Sequence, residues 1–286
     1  MPDSFVMAGV SISFKGETTE ERLFNMQERH TDGQRYFKEL AYTSEKYLLP
    51  FIEQVKKVTS DTRVLEIGCG MGGNLSPFVE RGCRVTGVDL GKDRVENAAR
   101  MLKAEGNPRI ELICADIFTV THLKGCFDLI IVHDVIEHIP DKDRFFEFVR
   151  EFLKPGGVIF LAFPAWQMPF GGHQQICRSR FLSKLPFYHL LPRFMYKGLL
   201  QAFHEPREVV EELLSIKSCG LTIERCRRYL RRYHYTVEKQ KLYFINPHYE
   251  IKFHLKPRLL LSWMGSIPYV RNFFCTSCFL MVKDGL

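Results

Sequence analysis

Val64-Leu65-Glu66-Ile67 runs straight into Gly68-Cys69-Gly70-Met71-Gly72-Gly73-Asn74, and the apolar spacing of a helix (Leu75, Phe78, Val79) begins directly after it. This order predicts a short buried strand, a tight glycine turn and a helix start. Glycines at such a turn give the backbone positive φ and leave no Cβ between it and a ligand. The helix start beyond presents free N–H groups and the positive end of a dipole. In an open parallel sheet, ligands bind outside the carboxyl ends of the strands at such a turn. Everything else in the chain is read against that position.

From Arg63 onward the pattern alternates. Strands are expected at 64–67, 84–88, 110–114, 127–132 and 158–163, and helices at about 75–81, 94–105 and 141–153. Repeated βα units of this kind give a mostly parallel sheet with helices on both faces. Before it, about 20–57 has helical spacing, and Pro50 separates two helices or opens the second. After it, 164–204 breaks the alternation with four prolines and two adjacent glycines, Gly171-Gly172. A connection this long beside the ligand edge reads as a lid or substrate wall built on a mobile loop. Glu205–Ser218 is helical, with Pro206 suited to the first helical position. Leu221–Val237 reads as a strand with basic and aromatic residues, 238–270 as a second irregular insertion, and Phe273–Lys283 as the closing strand. The domain expectation is therefore an N-terminal helical cap over 1–59 and an α/β domain over 60–286, with insertions at about 164–204 and 238–270.

Charge is uneven. Residues 164–286 hold 19 Lys and Arg against 8 Asp and Glu, whereas 1–163 are slightly acidic. A solvated basic face explains this more simply than an anionic partner, because no nucleic-acid motif appears. The 9 cysteines are scattered and no leader pattern is visible, so reduced thiols in a cytoplasmic protein are expected. Cys275-x-x-Cys278 lies in an apolar strand pattern without a second pair, so it is read as buried thiols, and no metal site is expected. No apolar run is long enough to cross a membrane.

The glycine spacing fits a dinucleotide loop as well as other adenosine ligands. The acids discriminate. Glu66, inside the end of the first strand, offers nothing to a pyrophosphate but suits a cation. Asp89, ending the second strand, can accept from two ribose hydroxyls. Asp116, ending the third, can accept from an exocyclic amine. Three acids at successive strand ends suit a cationic, phosphate-free adenosine compound, and S-adenosylmethionine is that compound.

With these pieces in order, the chain resembles the class I S-adenosylmethionine-dependent methyltransferases. The resemblance covers about 60–163. It rests on Val64-Leu65-Glu66-Ile67-Gly68-Cys69-Gly70-Met71-Gly72, Val88-Asp89-Leu90, Ala115-Asp116-Ile117, Phe127-Asp128-Leu129-Ile130, Val135-Ile136-Glu137-His138-Ile139 and Leu153-Lys154-Pro155-Gly156-Gly157. The last two look like the subgroup that contains quinone-biosynthesis and other small-molecule enzymes. The family implies a doubly wound, Rossmann-like, seven-stranded sheet with an antiparallel last strand. It implies that Glu66, Gly68, Gly70 and Gly72 line the methionine end of the cofactor. Asp89 with Leu90 would hold the ribose, and Asp116 with Ile117 the adenine. His133 and Asp134 would face the methionine part or the reacting methyl. It also implies an N-terminal helix closing over the cofactor, which brings Tyr36, Tyr42 and Tyr47 into question.

A general base is needed only where the acceptor must lose a proton early. His133, His138, His173 and Glu137 are the candidates, each with a structural alternative as a capping or packed side chain. Trp166, Phe170 and Tyr188 either wall an acceptor pocket or pack the insertion. Lys184–Phe203 is amphipathic and either rests on a membrane or packs as part of the lid. The expected partner is a small acceptor, hydrophobic or anionic, with peripheral membrane contact allowed. An RNA methyltransferase, suggested by the arginines of 225–232, and a non-catalytic cofactor-binding protein are the alternatives.

Overall fold

The computed structural model describes residues 4–7, 10–13 and 33–285. The expectations for the rest of the first 32 residues lie outside the described ones. Strands β1 (Ser4–Met7) and β2 (Val10–Ser13), in a stretch without sequence period, pair antiparallel. Helix α1 (Gly33–Thr43) continues through a π turn (Ser44–Leu48) into α2 (Leu49–Ile52), whose first turn contains Pro50.

The main sheet is built on β3 (Arg63–Ile67), β4 (Arg84–Asp89), β5 (Ile110–Cys114), β6 (Phe127–His133) and β7 (Leu153–Phe163). These five are parallel, in the order β5-β4-β3-β6-β7. Order reverses between β4 and β6, on either side of β3, so the crevice of the fold opens at the end of β3. Between them run α3 (Ser76–Glu80), α4 (Lys92–Leu102) and α5 (Lys142–Val149).

Beyond β7 come α6 (Arg193–Ala202), α7 (Arg207–Cys219), α8 (Ile223–Arg232), β8 (Tyr235–Ile245), α9 (Tyr249–Phe253), β9 (Arg258–Leu259), α10 (Ser262–Ser266) and β10 (Ser277–Asp284). Strand β10 inserts antiparallel between β7 and β8. The last strand is thus antiparallel as expected, and the two-residue edge strand β9 makes the sheet eight strands instead of seven.

Three sequence expectations change. Residues 223–232 form a helix, not a strand. Ile223, Cys226 and Leu230 recur at helical spacing and are buried, and Thr222 caps the start by accepting from Arg225 N at 3.0 Å. The interleaved arginines and tyrosines had masked that period. Residues 238–245 continue β8 and so belong to the sheet, not to an insertion. Pro206 occupies the cap position before α7, one residue earlier than expected.

Side chains alternate across each strand, so the sheet has two cores. Leu65, Ile67, Ile130, Val132, Ile159, Leu161 and Leu280 face α5 and α8. Val64, Leu129, Ile131, Phe160, Phe279 and Met281 face the N-terminal helices. By the same parity Glu66 and His133 lie on the N-terminal side. Phe160 is fully buried, with ring centroids 6.0 Å from Phe51, 5.1 Å from Phe279 and 6.4 Å from His133. Phe160→Ala should cost about 3–5 kcal/mol through a cavity at the centre of the sheet, read as a shifted denaturant midpoint. An unchanged midpoint would contradict this packing.

Candidate active site

The glycine turn is fastened to the next strand. Gly68 N and Cys69 N both donate to Val88 O, at 2.7 and 3.1 Å. Gly68 has φ 71°, and a Cβ there would lie 2.4 Å from Val135 Cγ2. Gly70, at φ 51°, has no heavy atom within 4 Å of where its Cβ would stand. The turn therefore leaves an open cradle at Gly70. Helix α1 covers the far side of the turn: a Cβ on Gly73 would meet Leu40 Cβ and Phe37 O at 2.6 Å.

Glu66 is buried beneath this cradle. Its Oε1 accepts from Asn74 Nδ2 at 2.8 Å, and its Oε2 is buried with no partner. Burial, and next to it the charge of Asp89, push its carboxyl up to about 8 despite the Asn74 hydrogen bond. Asn74 Oδ1 is likewise buried and unpartnered. Asn74 went unnoticed in the sequence, although its place at the start of the helix after the glycines was a usable signal.

Asp89, also buried, joins two loops. Its Oδ2 accepts from Gly70 N at 2.9 Å and its Oδ1 from Gly91 N at 2.8 Å, with Arg94 Nε 3.3 Å away. A carboxylate offers about four lone-pair sites, so acceptors remain for a diol. Leu90 beside it is 72% exposed. Asp116 is exposed, and its Oδ1 accepts from Phe118 N at 3.0 Å, capping the turn Ile117–Thr119. Ile117 is buried. These residues stand along the carboxyl edge of β3, β4 and β5. An open cradle, a buried carboxylate with one oxygen left without a partner and a buried aspartate on the next strand fit a cationic adenosine compound.

The strand-end histidines separate. His133 is buried against Phe160 and Phe279, with Nδ1 3.8 Å from Asp134 Oδ2. His138 and His173 come together: their rings pack edge to face with centroids 4.8 Å apart, although 35 positions divide them in sequence. Glu137 lies alongside. Both its carboxylate oxygens are buried without a partner, and burial together with Asp134 raises its carboxyl well above the usual range. Burial lowers both imidazoles, His173 to about 4. Ligand atoms of Glu137, His138 and His173 all lie within 4.8 Å of one another, the one such group of three found among the described residues, and could hold a cation.

Asp134 is the hub that sequence reasoning undervalued. It sits at φ 54°, a strained conformation for a residue other than glycine. Its charge acts on Glu137, His138 and His173, and on two tyrosines from other parts of the chain, Tyr36 of α1 and Tyr249 of α9. Both phenols are raised, Tyr249 by its half-buried setting and Asp134, and Tyr36, although 37% exposed, by its crowded setting and the charges of Asp134, Glu66 and Glu39. Lys46, Tyr42 and Tyr47 all reach Glu250 Oε2, at 2.8, 3.1 and 2.6 Å, and so tie α9 to the N-terminal helices.

The first insertion is packed more tightly than its glycines suggested. A Cβ on Gly171 would lie 2.3 Å from Trp166 O, and one on Gly172 2.3 Å from His189 Cβ. Both glycines serve close packing instead of forming a loop tip. Tyr188 is buried with Cys177 and Tyr196 in a core shared by the insertion and α7. Trp166 packs on Gly220 and on His189, so both rings fill the insertion. Phe170 is half-buried. Cys275 and Cys278 are fully buried, as expected for structural thiols.

Residues 65–161 match the model of the methyltransferase domain family. The ubiquinone biosynthesis O-methyltransferase of Idiomarina loihiensis is 34% identical over 115 residues, which are 40% of this chain and 47% of that protein. The chain thus spans about half the length of that curated relative. Geranyl diphosphate C-methyltransferase of Streptomyces coelicolor has the same fold, with a TM-score of 0.53 and 14% identity over 83% of this chain and 75% of that one. So does the [4+2]-cyclase SpnF, with a TM-score of 0.51 and 15% identity over 84% and 81%. The strand order, the glycine turn with its strand-end acids and the family match show that residues 65–161 carry a methyltransferase domain, and the fold around it is that of S-adenosylmethionine-dependent methyltransferases.

Proposed function

We propose that the chain transfers the methyl group of S-adenosylmethionine to a small, lipid-like acceptor. The observation that carries this reading is the buried Glu66 Oε2, without a partner beneath the open cradle at Gly70. In this reading Glu66, Gly68, Gly70 and Gly72 hold the methionine end, Asp89 with Leu90 the ribose, and Asp116 with Ile117 the adenine. Asp134 faces the methionine part, with His133 behind it. When bound, the cofactor supplies an electrophilic methyl carbon for in-line displacement. The chain's own work is alignment and exclusion of water. Tyr36 of α1 and Tyr249 of α9 close the site, which makes α1 a functional unit with α9.

His173 is the proposed base for an acceptor hydroxyl. Its lowered pKa keeps the ring neutral at physiological pH, and His138 orients it edge-on. The Idiomarina relative, named for O-methylation in ubiquinone biosynthesis, supports an oxygen acceptor. An RNA acceptor has less support. Arg232 is engaged by Asp143 at 2.9 Å and Arg227 by Gln240, so these cations have partners within the fold.

Titration calorimetry with S-adenosylmethionine and with NAD tests the reading. Binding of the first and not the second is expected. The reverse would replace it with a dinucleotide-dependent reaction, which the glycine spacing alone also permits.

A further inference from the structure

Two stretches of the second half contain no acidic residue at all: 152–204 and 251–283. The first carries six Lys and Arg and the second five. Elsewhere acids and bases are interspersed, so these gaps are not a consequence of overall composition. The two stretches meet in space, since the rings of Phe187 and Phe273 lie 6.3 Å apart.

Within the second stretch, 256–273 is anchored at both ends among the described residues. Leu260 is buried, and its N donates to Leu242 O at 2.8 Å, on the sheet edge. Arg271 and Asn272 are buried on Glu224 of α8, with Arg271 Nε 2.9 Å from Glu224 Oε1. Between these anchors the segment presents Leu261, Trp263, Ile267, Tyr269, Val270 and Phe273, each 39–63% exposed. Lys256 and Arg258 are exposed at its start. A rigidly held apolar ridge with an indole and a phenol, flanked by cations and free of anions, matches the boundary of an anionic bilayer. Aromatic rings sit at headgroup level there, and each cation near the surface adds attraction. Nucleic acid would select cations and stacking rings, but not an aliphatic ridge.

We propose that 256–273, with Phe187 beside it, docks the protein on an anionic lipid surface. The docking deepens the proposed lipid-like acceptor, because it would hold the acceptor side of the fold at the membrane. It is tested without cofactor or acceptor, so the two readings fail separately.

The chain contains two tryptophans, Trp166 and Trp263. In a Trp166→Phe variant, the emission reports Trp263 alone. The full chain should float with phosphatidylcholine vesicles containing roughly one-third phosphatidylglycerol, release as salt rises, and bind pure phosphatidylcholine far less. Trp263 emission should shift to the blue on those vesicles. Leu261→Ser with Trp263→Ser should weaken flotation by about tenfold or more, with S-adenosylmethionine affinity unchanged. The flotation arm uses the unaltered chain and so does not depend on how the Trp166 variant folds. Absence of flotation on anionic vesicles at low salt would overturn the proposal, as would retention on RNA without any blue shift on vesicles.

Discussion

Asp89→Ala should weaken S-adenosylmethionine binding by roughly a hundredfold or more. The figure follows from two losses of about 1.5–3 kcal/mol each. One is the charged acceptor proposed for the ribose diol. The other is the clamp itself, since Asp89 takes Gly70 N on one side and Gly91 N on the other. Without it the cradle loses the side chain that fixes its shape, and two amides at the site lose their acceptor. The fold should survive, because Asp89 ends β4 at the crevice and the two hydrophobic cores do not include it. Calorimetric titration against an unchanged circular dichroism spectrum is the measurement. Retained affinity would show that the ribose is held elsewhere. Asp89→Asn should fall between the two, since an amide keeps one acceptor oxygen but loses the charge.

The sequence foretold this clamp in part. Strand ends carrying Glu66, Asp89 and Asp116 are local features. Each is fixed by a short apolar run and the residue that follows it, so period and spacing reveal them. Gly91 beside Asp89 and Phe118 beside Asp116 are local partners too. The others are not: Asn74 reaches Glu66 across the glycine turn, and Gly70 reaches Asp89 from the loop after the neighbouring strand. The same distinction separates His138, whose motif placed it near the fourth strand of the parallel core, from its contact with His173. That contact depends on how the first insertion folds on itself, with Gly171 closing on Trp166 and Gly172 on His189 beside His173. Close approach and looseness share one signature: a glycine pair looks alike in sequence whether it bends freely or admits a neighbour.

Helix α8 was misread for a different reason. Its buried positions Ile223, Cys226 and Leu230 form a narrow stripe, and Arg225, Arg227, Arg228 and Tyr229 between them hide it behind a basic, aromatic composition. Asp134 escaped notice as a hub because its influence runs through charge, to side chains from α1, α9 and the first insertion. No spacing rule encodes such convergence.

Glu66→Gln should change the protein's response to pH as well as its affinity. In the folded chain the carboxyl is pushed up to about 8, against 4.5 for an ordinary glutamate. Between those values the folded state holds a proton that the unfolded state has released. Stability therefore falls as pH rises from the ordinary value, and the penalty is complete above pH 8. Each pH unit of displacement corresponds to about 1.4 kcal/mol, so the variant should exceed the parent by a few kcal/mol above pH 8 and match it near pH 4. A cationic ligand reverses the balance, because a positive charge beside Oε2 favours the ionised form. S-adenosylmethionine binding near pH 7 should then expel a proton from the parent and none from the variant. Titration in two buffers of different ionisation enthalpy counts that proton directly. Equal proton release by both proteins would place the cation away from Glu66, and the reading of the buried carboxylate as its partner would fall.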